Sequence, residues 1–138
     1  MKPQGMIWYN ILKWLVPFGV LLNIYTPVYT LSNLAAQENI ALSFLINHTI
    51  TAYAYTYIAY GITMAIFDAV FVVYLWKKSA ACVHAVRAIL IADTVGIVAL
   101  EFAAAVSFQQ FNLVSIAIIL AAVYLFWMPT YVYLKKRF

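Results

Sequence analysis

Three of the four acidic residues in this 138-residue chain, Asp68, Asp93 and Glu101, fall inside strongly apolar stretches, and the fourth, Glu38, does not. A carboxylate in hydrocarbon costs about 2.5–3.5 kcal/mol on insertion scales, so it is expected to hold a proton, bind a cation or pair with a base. Asp68, in "IFDAVFVVYLWKK", lies eight residues before Trp76, about 12 Å along a helix, and Arg87 lies about 10 Å beyond Ala80. Equal depth on two helices joined by a tight turn predicts a buried ion pair between Asp68 and Arg87. Asp93 stands about 20 Å from the same end and Glu101 near the opposite one. Neither has a base at its depth, which makes Asp93 and Glu101 the candidate titrating groups.

Other chemistries find no residues to carry them. His48 and His84 belong to opposite ends of the expected elements and cannot share a metal. Cys82 is the single cysteine, so no internal disulfide or paired-thiol cycle is available. No serine has a histidine at its depth for nucleophilic catalysis, and the four glycines are too scattered for a phosphate-binding loop. No catalytic, cofactor-binding or metal-binding residue is assigned. The expectation is a protein that is not an enzyme and uses no cofactor.

The elements that position the acids follow from composition. With 67% hydrophobic and 9% charged residues, the chain cannot cover a core with polar surface and belongs in a lipid bilayer. Four apolar runs, about 14–34, 53–76, 82–107 and 113–134, approach or exceed the roughly 20 residues that a spanning helix needs. They are continuous and too long for barrel strands. The expected fold is all-α, four transmembrane helices in an antiparallel bundle forming one domain over 1–138.

Positive charge gives the orientation. Lys2 and Lys13, then Lys77, Lys78 and Arg87, then Lys135, Lys136 and Arg137 account for all eight basic residues, and all fall on one side of the four spans. That places both termini in the cytoplasm. The net charge of +4 therefore marks topology and attraction to anionic lipid, and no nucleic-acid partner is expected. The first run is too long for a cleaved signal sequence and carries Pro17 and Pro27, so it reads as a retained span.

Ala81, Ala85, Ala88, Ala92, Gly96, Ala99 and Ala103 form a stripe of small residues along the third span, which lets another helix approach closely. Arg87, Thr94 and Glu101 share the opposite side. The third span is thus expected to touch neighbours on both flanks, or a second copy of the chain. Tyr53, Tyr57 and Tyr60 share one face of the second span, as an aromatic belt or as the wall of a site for a flat apolar ligand such as a quinone. In the long outer loop, Ile40, Phe44 and Leu45 could line one side of a surface helix, and Asn47-His48-Thr49 matches a glycosylation acceptor.

The segments "LKWLVP", "YLWKKSAACVHAVRAILI" and "LFWMPTYVYLKKRF" resemble a family of small four-span bacterial inner-membrane proteins catalogued as a domain of unknown function. Trp14-Leu15, Trp76-Lys77-Lys78 and Trp127-Met128-Pro129 carry the resemblance, with Tyr131 one position displaced and no proline in the central turn. It implies a bacterial inner-membrane location and no particular activity. Two functions fit the residues. The first-ranked is a noncatalytic accessory or scaffold bundle, with a membrane-protein partner or a homo-oligomer. The alternative is a small oligomeric proton-coupled transporter or channel using intramembrane carboxylates.

Overall fold

The computed structural model describes residues 6–37, 51–108 and 111–138. They form four helices, α1 (Ile7–Gln37), α2 (Thr51–Trp76), α3 (Ala81–Phe108) and α4 (Leu113–Arg137), with no strand among the described residues. Each helix is long and apolar enough to cross a membrane. The all-α, four-helix reading of the sequence is therefore what the chain adopts. The features expected around Ile40 to Thr49 lie outside the described residues.

The first helix begins at Ile7 rather than at Trp14. Lys13 was expected to precede the span, but it sits inside α1 with its ammonium 4.4 Å from the centre of the Trp76 ring and 5.8 Å from that of Tyr9. A lysine whose stem packs on apolar surface and whose charge meets aromatic faces need not end a helix. The backbone N–H of Tyr9, one of the unpaired donors of a first turn, donates to the Tyr133 hydroxyl at 3.2 Å. Trp8 Nε1 donates to Thr130 Oγ1 at 3.2 Å, so the start of α1 is tied to the end of α4.

Between α2 and α3 the chain reverses in a few residues. The Ser79 N–H reaches back to the Tyr74 carbonyl at 3.0 Å and the Lys78 N–H to the Leu75 carbonyl at 3.1 Å, the paired bonds of a Schellman ending. Lys78 occupies the left-handed position, with φ of 53°. Ser79 Oγ then accepts from the Ala81 N–H at 3.2 Å, starting α3 with a hydroxyl cap. Asn112 does the same for α4, its side chain accepting from Val114 and Ser115.

Partners descend along one helix as they ascend along the next. Tyr53 meets Ser107 and Tyr60 meets Asp93 across α2 and α3, while Tyr131 meets Arg87 and Tyr124 meets Thr94 across α4 and α3. The main apolar cluster, including Tyr9, Leu12, Phe71, Leu75, Cys82, Val86 and Leu134, closes the end that holds the α2–α3 turn. The Tyr9 hydroxyl donates to the Leu75 carbonyl within it. Farther from that turn, α1 and α2 touch through backbone. Pro27 has no N–H for the Asn23 carbonyl, and that oxygen faces Gly61, where a Cβ would stand 2.5 Å from it and 2.7 Å from Pro27 Cγ. Only glycine allows the approach that brings Asn23 to α2.

Candidate functional site: two buried carboxyl groups among α1, α2 and α3

Asp68 is 5% exposed and Asp93 is 7% exposed, and with Thr130 they are the buried polar or charged residues among those described. Asp68 projects from α2 towards α1. Its Oδ2 accepts from Asn23 Nδ2 at 2.8 Å, and a Cβ on Gly19, one turn earlier in α1, would lie 3.5 Å from the same oxygen. Its Oδ1 is buried and has no hydrogen-bond partner. A buried acceptor left in that state costs about 1–3 kcal/mol, more when charged.

Asp93 projects from α3 towards α2, where Tyr60 donates its hydroxyl proton to Asp93 Oδ1 at 2.7 Å. The Tyr60 ring lies directly on Gly96, so that any Cβ there would overlap the ring carbons. Asp93 interacts electrostatically with Asp68, and Tyr60 with both. Three helices thus bring two carboxyl groups, a phenol and a primary amide into one cluster, with no lysine or arginine among the described residues bonded to any of them.

The expected ion pair between Asp68 and Arg87 is not formed. Arg87 is exposed and turns to α4, its guanidinium donating to the Tyr131 hydroxyl at 2.8 Å and standing 5.6 Å from that ring. Thr94 follows on the same face, donating to the Leu90 carbonyl and accepting from the Tyr124 hydroxyl at 2.7 Å. Arg87 and Thr94 are seven residues apart, as are Tyr124 and Tyr131, so both pairs belong to one α3–α4 seam. Equal depth brought Asp68 and Arg87 to the same level but on different sides of the helix pair.

Glu101 stands apart from the cluster. It is half-buried, beside Tyr53, with which it interacts electrostatically, about 12 Å along α3 from Asp93. Cys82 is buried in the apolar cluster and His84 is exposed near the turn. No group of three or more His, Cys, Asp and Glu side chains that could hold a metal occurs among the described residues. Sequence reading places Tyr60 on an aromatic face of the second span without linking it to Asp93, and it does not single out Asn23. Asn23 carried a signal nonetheless, an amide within an apolar run between Pro17 and Pro27.

Beside the cluster, α2 and α3 enclose a groove of about 660 Å³. The small residues Ala88, Ala92, Gly96 and Ala99 form much of one wall, opposite Thr63 and Phe67. The stripe foreseen on the third span therefore borders an open groove over much of its length. The other face of α3 meets α4, so this helix does touch neighbours on both flanks.

No protein-family model, curated protein or solved structure matches the chain. Fold and composition together define its class, a multi-pass membrane protein of four spans, and the feature to explain within it is a pair of buried acids without a basic partner among the described residues.

Proposed function

We propose that this is a small proton-coupled transporter of the bacterial inner membrane, in which Asp68 and Asp93 take up and release protons inside the bilayer. The observation that carries the reading is the lack, among the described residues, of any basic partner for either acid. Carboxyl groups so placed meet their desolvation cost by holding a proton or a cation, and groups that exchange such a charge are what coupling requires. The basic residues put both termini on the cytoplasmic side, in keeping with the resemblance to small four-span inner-membrane proteins. Glu101, nearer the opposite interface, is the group through which protons reach or leave that side. No catalytic role is proposed.

Only Thr130 and Leu134 of α4 are buried, both in its last turns. Val114, Ile118, Leu125 and Val132 of α4 are exposed apolar side chains, which favours assembly from several copies and keeps an accessory role in a membrane complex as the second reading. Infrared difference spectra of the reconstituted protein test the first. A change of pH is expected to interconvert protonated-carboxyl and carboxylate bands, with part of the change lost in Asp93→Asn and part in Asp68→Asn. A double variant whose difference spectrum equals that of the unaltered protein would leave the accessory reading.

A further inference from the structure

The groove and the buried acids adjoin one another through a single side chain. Its walls come from α2 and α3 alone, and Thr63, Ala88, Ile91 and Val95 along it are exposed, in the apolar part of both spans. It therefore opens sideways, onto what is hydrocarbon in a bilayer. Its inner wall is the Tyr60 ring, half-buried on Gly96, with the phenol oxygen 2.7 Å from Asp93 Oδ1.

We propose that the groove binds a lipophilic organic cation, which reaches Asp93 by displacing the Tyr60 hydroxyl; this rests on the proton-coupled reading and names its substrate class. Charge complementarity selects the sign. An anion entering the groove would meet Asp93 and Asp68 with no base to offset them, whereas a cation supplies the counter-charge that both lack. The lining selects the form of the cation. Apart from the threonine and tyrosine hydroxyls the walls are alkyl and aromatic, so a small hydrated ion would lose its water without replacement ligands, while a cation shielded by hydrocarbon loses little. The volume falls within the roughly 300–1,000 Å³ usual for drug-sized ligands. Tyr60 contributes twice, offering its ring face to the cation and, once turned aside, uncovering both the carboxyl oxygen and the space above Gly96. Proton and cation then compete for one carboxylate.

Equilibrium dialysis of tetraphenylphosphonium against the full chain in lipid nanodiscs tests the assignment. Saturable binding is expected, weakened at least about tenfold in Asp93→Asn, where one partner of a buried charge pair is removed, and similarly in Thr63→Phe, which fills the groove from an exposed position. A neutral tetraphenyl analogue should partition equally into all three proteins. Uptake of the cation that is non-saturable, or the same in all three, overturns the proposal. So does efficient crosslinking between copies through a Thr63→Cys, Ala92→Cys pair, which would show a second copy seated in the groove. The infrared carboxyl signal, recorded on the same samples, separates the two claims. If it persists while binding fails, the substrate class alone is wrong; if binding holds while the signal is absent, the cation site stands and proton exchange is lost.

Discussion

Gly96→Ala is expected to destabilise the protein by about 1–3 kcal/mol, the usual cost of overpacking a filled site. Alanine is ordinarily the better helix former by about 1 kcal/mol, so propensity alone predicts the opposite sign. Packing decides it. The added methyl would fall on carbons of the Tyr60 ring, and the ring cannot swing away without giving up the hydroxyl bond to Asp93. In a Tyr60→Ala background the same substitution should become neutral or mildly stabilising, since only the propensity term survives. Unfolding in detergent measures both arms of this cycle, and an equal effect of Gly96→Ala in the two backgrounds would show that the ring does not occupy the glycine.

The second large effect concerns Asp68. If it were half of a buried ion pair, neutralising it would strand a charge and cost about 3–5 kcal/mol. With no base attached, Asp68→Asn removes a charge whose insertion costs about 2.5–3.5 kcal/mol and keeps an oxygen to accept from Asn23. The variant is expected to be as stable as the parent or more stable by about 1–2 kcal/mol, while proton-coupled activity falls. A gain in stability with a loss of activity is the signature of a group kept for function. Marked destabilisation by Asp68→Asn would instead make the carboxylate a structural element.

The four helices were legible because bilayer thickness imposes a length that apolar runs satisfy or miss, and the α2–α3 turn was legible from Trp76-Lys77-Lys78. The burial of Asp93 was also legible, since counting residues from a boundary gives depth. Depth says nothing about direction around the helix, and there the reading of Asp68 failed. Arg87 and Thr94 share a face, and that face meets Tyr131 and Tyr124 on α4, not Asp68 on α2. The links of Asn23 and Tyr60 to the acids were hidden because both side chains are neutral, although Tyr60 was visible as part of an aromatic face. Asn23 matters through the approach that Pro27 and Gly61 permit, and Tyr60 through its seat on Gly96, both of which depend on helix pairing that no single segment encodes.

Proton-coupled flux tests the central claim most directly. Proteoliposomes holding an imposed pH gradient and a lumenal pH-sensitive dye would be challenged with cationic, anionic and neutral solutes. The account predicts that a solute of the cationic set collapses the gradient through the unaltered protein, and that Asp93→Asn, folded and equally incorporated, behaves like protein-free vesicles. No proton movement with any solute, together with recovery of a stable membrane-protein partner from native membranes, would contradict it.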